Sequence, residues 1–265
     1  MQIFRYFAER VALKAGSEQP VYSAAQNAAL AEWRKLLARV SHEDILNLSP
    51  AVRKAARVRT LPKGQDAADV LGSNAPGAYA FASEDLFLRG TTIHMFEQAM
   101  RNRARALLTM SHELLHAFQY QQMQGKGLWG GVKHFGDSVL NLQTKRQTND
   151  LFDELLHLQA RRSVRFQRRL RWLKISRNSM ERGRLKSSAA DRMVQEKLKT
   201  APDKVLLTLR ELLAGEVQAC QASRDFVRLQ GLKLQHRDYA EDVANQRIYQ
   251  RLWELADQEC NGRGL

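Results

Sequence analysis

Residues that interrupt helices are scarce in this chain and are concentrated in a few places. The 265 residues include five prolines and fifteen glycines, and many of these lie at 61–78 and 125–131. Because proline and glycine destabilise helix interiors, the long stretches without them favour helices. Apolar residues also recur at helical spacing in these stretches, as between Ala25 and Val40. This distribution predicts a mainly helical fold.

The same patterns place the individual elements along the chain. Residues 1–60 are predicted to be helical, and 61–78 to form turns. Two short strands are predicted at Ala78–Ala82 and Leu86–Leu88, separated by Ser83-Glu84-Asp85. Further helices are predicted at 96–120, 150–175, 189–199, 203–230 and 239–259. The expected fold class is therefore mainly α with a small β-sheet (α+β).

Two features bear on the cellular compartment. No stretch approaches the roughly 18 apolar residues that a membrane-spanning helix needs, and Arg5, Glu9 and Arg10 interrupt the first apolar residues before a signal peptide can form. Cys220 and Cys260 are too few for a disulfide framework. We expect a cytoplasmic protein by default, with export as an effector by a signal-independent route as the alternative.

The net charge of +14 is concentrated in one segment. Residues 161–186 contain eleven lysines or arginines and a single acid, Glu181. Arginines alternate there with Phe166 and Leu170, which predicts an amphipathic helix with a basic face. A solvated helix face is the simplest interpretation, and contact with nucleic acid, an anionic membrane or an acidic partner is the alternative.

One short motif has the residues and spacing of a metal-binding catalytic site. His112, Glu113 and His116 form an H-E-x-x-H sequence. On a helix the two histidines lie one turn apart on the same stripe, so both imidazoles can bind one metal ion. Glu113 lies about 60° around the helix from His116, where it can accept a proton from a water that zinc activates. The motif is set in an apolar helix face formed by Leu107, Met110, Leu114 and Phe118.

The sequence HELLHAFQ, preceded by two predicted strands and followed by helices, resembles the zincin superfamily of metallopeptidases. It is more similar to the gluzincins, in which a glutamate on a later helix is the third zinc ligand, and to bacterial metallopeptidases with an H-E-L-x-H-x-x-Q pattern. The resemblance covers roughly 78–225, although only the five-residue motif is specific. A metzincin would continue to a glycine and a third histidine, where this chain has Gln119 and Gln122.

Two glutamates compete as the third zinc ligand, because a catalytic site usually has three protein ligands and a water. Glu216 is an isolated carboxylate on an apolar, small-residue face with Leu212, Leu213, Ala219 and Cys220. A charge in such a place needs a metal or a cation. Glu154 instead shares its face with Asp150, His157 and Arg161. The pattern favours Glu216, which also matches the E-x-x-A pattern of many gluzincins, and Glu154 stays the alternative.

Other polar residues near the motif have less specific patterns. Tyr120 follows His116 by one turn and is a candidate hydrogen-bond donor to an oxyanion. His94 and His134 are weaker candidates for the same role, and a structural role is the simpler interpretation of all three. The strand predicted at Leu86–Leu88 offers an edge to which an extended peptide could add.

These observations predict zinc-dependent hydrolysis of a protein or peptide substrate, with Zn²⁺ as cofactor. The predicted domains are an N-terminal helical segment (1–60), a zincin-like catalytic domain (61–230) with a basic helical insertion near 161–200, and a C-terminal helix packed on it (231–265). The alternative function is a basic helical interaction protein that binds nucleic acid or anionic membrane and has a vestigial metal site.

Overall fold

The protein is described by a computed structural model that covers residues 19–60, 80–85, 90–124, 141–172, 185 and 187–265. The described residues form two compact units. One unit, called here the N-terminal unit, contains Tyr22–Gln143 and Gln218–Lys233. The other, the C-terminal unit, contains Thr144–Val217 and Leu234–Leu265, together with the described residues before Tyr22. The predictions for 1–18, 61–79 and 125–140, including His134, lie outside the described residues, as do those for 86–89.

Three short helices open the N-terminal unit, and each begins after a serine. They are α1 (Ala24–Leu37), α2 (His42–Leu46) and α3 (Pro50–Ala55), capped by Ser23, Ser41 and Ser49. Each serine side chain accepts a hydrogen bond from a main-chain N–H of the first turn, which has no partner within the helix itself. At α1 and α2 the third helical residue returns the bond in a capping box. The helical prediction is confirmed between Ala24 and Ala55, apart from the short connections between these three helices.

A three-stranded mixed sheet follows. Its strands are β1 (Arg57–Thr60), β2 (Ala80–Asp85) and β3 (Gly90–Met95), in the order β1-β3-β2. Strand β3 pairs parallel with β1 and antiparallel with β2. Neither β1 nor β3 was predicted, and residues 57–60 are not helical. The prediction that Ser83-Glu84-Asp85 separate two strands is also wrong, because these residues continue β2 and pair with Gly90–Thr92.

The longest helix of the N-terminal unit is α4 (Arg103–Gln124), which follows a 3₁₀ helix at Glu97–Arg101. The Asn102 side chain accepts a hydrogen bond from the main-chain N–H of Arg105 and so caps α4. Helix α1 and strands β2 and β3 pack against α4. The core of the unit consists of fully buried side chains from these elements, among them Ile93, Met95, Phe96, Leu107, Leu114 and Leu115.

The C-terminal unit is built from long helices. They are α5 (Leu142–Trp172), α6 (Ala189–Thr200), α7 (Asp203–Leu229) and α8 (His236–Arg263). Helix α8 packs on α6, and its Arg263 donates to the main-chain oxygens of Leu198, Lys199 and Ala201 at the end of α6. Helix α7 is continuous across the boundary, so its residues from Gln218 onward belong to the N-terminal unit.

The fold class is confirmed as mainly α with a small β-sheet. None of the helices in the described part of the chain combines the length and the apolar character needed to cross a bilayer. The division into three domains and the cytoplasmic location stay predictions. The two compact units are defined by contacts within each unit, and each unit combines residues from separate parts of the sequence.

Candidate metal centre

The two histidines of the motif lie on neighbouring turns of α4 and face each other. Nε2 of His112 is 3.1 Å from Nε2 of His116, and the two rings meet edge to face with their centroids 4.8 Å apart. Both side chains are half-buried. Two ring nitrogens at this distance can share one proton or one cation, because each has a lone pair when its hydrogen is absent.

A third candidate ligand lies on α7. Glu216 is half-buried, and a ligand atom from each of His112, His116 and Glu216 lies within 4.8 Å of the other two. Glu216 precedes Gln218 by two residues on the same helix, so helix continuity places it beside the part of α7 that belongs to the N-terminal unit. In the described residues this is the one group of three or more histidine, cysteine or acidic side chains close enough to hold a metal.

The donor set fits zinc. Bonds of about 2.0–2.1 Å at tetrahedral angles place two histidine nitrogens about 3.3 Å apart, which is close to the distance observed here. Two imidazoles and one carboxylate are borderline-hard donors that suit Zn²⁺, and three protein donors leave one position open for water or substrate.

Glu113 is the remaining member of the motif. Its side chain is only 8% exposed, whereas the flanking His112 is half-buried. Its place on α4 between the two histidines is the one that the motif predicted.

The other predicted site residues lie in different surroundings. Glu154 is on α5, 45% exposed, and pairs with Lys197 at 2.7 Å; it is not a member of the cluster. Asp150, His157 and Arg161 on its face are exposed too, as the pattern predicted. Tyr120 is half-buried on α4, one turn beyond His116. His94 is on β3 opposite Phe81, and its role stays a prediction.

Two glutamines that sequence reasoning missed lie behind the histidines. Nδ1 of His116 is 2.7 Å from Oε1 of Gln119, and Nε2 of Gln119 is 3.2 Å from Oε1 of Gln218. Gln119 and Gln218 are 7% and 3% exposed. A signal for Gln119 was present, since it follows His116 by three residues and therefore shares its helix face. Gln218 has no comparable signal in the sequence.

The described part of the basic segment forms the last turns of α5. Phe166 and Leu170 are buried there, and the arginines between them point to solvent; Arg161, Arg165, Arg168 and Arg169 are exposed. The predicted amphipathic helix with a basic face is confirmed as far as Arg171. Residues 173–184 lie outside the described part of the chain.

Comparisons with family models, with curated proteins and with solved structures find no match to this chain.

Proposed function

We propose that this protein is a zinc-dependent metallopeptidase that hydrolyses peptide bonds with Glu113 as its general base. The observation that supports it most is the meeting of His112, His116 and Glu216, which come from positions a hundred residues apart and supply two imidazoles and one carboxylate to one place. Two imidazoles and one carboxylate are a donor set that holds zinc in catalytic sites.

In the proposed reaction each residue has one task. His112, His116 and Glu216 hold the ion. When it is bound, zinc acidifies a water and polarises the substrate carbonyl. The Glu113 carboxylate takes the proton of the attacking water and passes it to the nitrogen of the leaving amine. Tyr120 is proposed to donate its hydroxyl hydrogen to the oxyanion, in keeping with its position one turn after His116.

The Glu113→Gln variant tests the general base. The amide cannot accept a proton, so we expect hydrolysis of fluorescein-labelled casein to fall about 100- to 10,000-fold while zinc stays bound. Glu196→Gln is the matched control, because Glu196 is exposed and pairs only with the exposed Lys199 among the contacts described. Unchanged turnover in Glu113→Gln would remove the general-base role. An absence of cleavage by the zinc-loaded wild type, across casein and a diverse peptide library, would contradict the proposed activity.

A second candidate function is favoured by the exposed arginines of α5. We propose that Arg161, Arg165 and Arg168, which lie on one helix stripe, bind an anionic partner such as nucleic acid or anionic membrane. Binding to a short DNA duplex or to phosphatidylserine vesicles should weaken steeply with salt and survive His112→Ala. Binding that is unaffected when the three arginines are changed to glutamine would exclude this surface.

A further inference from the structure

A line of three side chains leads from the candidate metal ligand His116 to helix α7. It runs from Nδ1 of His116 to the amide of Gln119 and from there to the amide of Gln218, over distances of 2.7 and 3.2 Å. All three residues belong to the N-terminal unit, and both glutamines are buried. The two hydrogen bonds are therefore shielded from competing water. A donor or acceptor that pointed the wrong way would cost more free energy here than on the surface.

These two bonds determine which nitrogen of His116 carries the hydrogen. The carbonyl oxygen of Gln119 can only accept, so Nδ1 of His116 must donate to it. The amide nitrogen of Gln119 donates to Oε1 of Gln218, and reversal of the Gln119 amide alone would place two acceptor oxygens against each other there. His116 is left with a lone pair on Nε2, the atom that faces His112. That is the tautomer a metal at this position requires.

The orientation of the Gln218 amide lowers the stability of the folded protein, and a purely structural role does not explain why this orientation is kept. Its Nε2 is buried and has no hydrogen-bond partner among the described residues. A buried donor of this kind destabilises a protein, and an apolar side chain of similar size would avoid the penalty. Retaining a glutamine here is expected where its oxygen serves another purpose.

The same line joins the two helices that carry ligands. Gln218 lies two residues after Glu216 on α7, so its bond to Gln119 connects α4 to the helix of the third ligand. We propose that Gln119 and Gln218 are positioning residues that preset the His116 tautomer and the alignment of α4 with α7 for metal binding. This inference rests on the metal site of the proposed function, and it concerns affinity for zinc rather than the reaction.

The test compares zinc affinities, measured by competition with a chromophoric chelator. Gln119→Leu should weaken binding about 10- to 100-fold, the usual effect of removing the partner of a ligating histidine. Gln119→Glu keeps an acceptor for Nδ1 and should restore most of the affinity. Gln218→Leu should weaken binding less, and should have no further effect once Gln119 is leucine, because it acts through Gln119.

Gln121→Leu is the matched control. Gln121 is on the same helix and donates to the main-chain oxygen of Ala55 at 2.7 Å, so its loss costs a hydrogen bond without touching the histidines. Equal zinc affinities in Gln119→Leu and Gln121→Leu would overturn the proposal, even if the protein binds zinc and cleaves peptides. If the variants change zinc affinity as expected but the protein cleaves no peptide, the positioning role is supported and the proposed peptidase activity is contradicted.

A measurement on the metal-free protein distinguishes an effect on the His116 tautomer from a general loss of stability. Nitrogen-15 spectra of the imidazoles, taken at about pH 8, above the ordinary pKa of histidine of about 6.5, should show His116 with its hydrogen on Nδ1. In Gln119→Leu that preference should be lost, and in Gln119→Glu it should persist. Hydrogen on Nε2 of His116 in the wild type would contradict the proposal, as would a wild type that binds no zinc.

Discussion

The indole N–H of Trp33 donates a hydrogen bond to the main-chain carbonyl oxygen of Ser111, with 2.8 Å between the nitrogen and the oxygen. Ser111 immediately precedes His112 on α4. The Trp33 ring also meets Phe226 of α7 edge to face, with the ring centroids 5.7 Å apart. One buried side chain of α1 therefore contacts both helices of the candidate metal centre, at a distance in sequence that no local pattern would reveal.

We expect the Trp33 hydrogen bond to contribute measurably to stability. Trp33→Phe keeps an aromatic ring beside Phe226 but removes the donor, and should lower the free energy of unfolding by about 1 kcal/mol beyond the effect of the smaller ring. Trp33→Ala should cost about 3–5 kcal/mol, since it also leaves a cavity. Denaturant titration would measure both. Trp253→Phe is the control, because the Trp253 indole nitrogen is buried without a partner among the described residues; an equal loss in the two Phe variants would contradict the expectation.

A buried charge network should dominate the electrostatic stability of the C-terminal unit. Asp191 is 1% exposed and accepts hydrogen bonds from Arg162, Arg251 and Gln159 at 2.5, 3.1 and 2.9 Å. Asp191→Ala would remove a buried carboxylate that two largely buried guanidinium groups share, and only Arg251 has a second carboxylate partner described, Glu254 at 2.8 Å. We therefore expect a loss of about 3–5 kcal/mol in the free energy of unfolding.

The control for Asp191 is the exposed pair of Glu154 and Lys197. These side chains are 45% and 49% exposed, so Glu154→Ala should cost about 0–1 kcal/mol although the two atoms are only 2.7 Å apart. Thermal or chemical unfolding of the two variants measures the difference. A similar loss in both would show that burial does not set the strength of these pairs.

The pH dependence of stability should carry a contribution from Asp153. Burial, and to a smaller extent the neighbouring charge of Asp150, raises the pKa of the Asp153 carboxyl. Below the ordinary pKa of aspartate both states hold the proton and there is no penalty. Above it the unfolded chain loses the proton first, so stability falls as the pH rises through the folded-state pKa.

Asp153→Asn should therefore gain stability relative to the wild type as the pH is raised from about 3 to 6. Unfolding midpoints across that range measure the effect. Asp150→Asn should reduce the pH dependence without abolishing it, because burial is the larger cause. A constant difference between wild type and Asp153→Asn across the range would show that Asp153 titrates alike in both states.

Zinc should stabilise the folded protein through the histidines. A ligand at a hundred times its dissociation constant adds about 2.7 kcal/mol, which corresponds to a rise of about 5–10 °C in Tm for a chain of this size. A chelator should reverse the rise in the wild type and have no effect on His116→Ala. His157→Ala is the control, since His157 is exposed on α5. A response of His116→Ala equal to that of the wild type would place the zinc elsewhere.

Local signals were sufficient for the helices and insufficient for the sheet. A serine cap and apolar spacing involve residues only a few positions apart, so the helices after Ser23 and Ser188 were predictable. Strand pairing depends on partners far away in sequence. The three residues at 83–85 have turn-like composition, yet pairing with β3 keeps them in a strand.

The candidate site divides in a similar way. His112, Glu113 and His116 are set by helix geometry alone, so the motif was enough to predict their grouping. Glu216 was favoured over Glu154 because an isolated carboxylate on an apolar face needs a partner, and the cluster contains it. The bond between Gln119 and Gln218 spans 99 positions, and only the packing of α4 and α7 brings the two amides together.

The zinc content of the purified protein tests the central claim most directly. Elemental analysis of the wild type after zinc loading should give close to one zinc per chain. His112→Ala and Glu216→Ala should lose it, and Glu154→Ala should retain it. A wild type that holds no zinc, or a Glu216→Ala variant that keeps the full amount, would contradict the proposed metal centre.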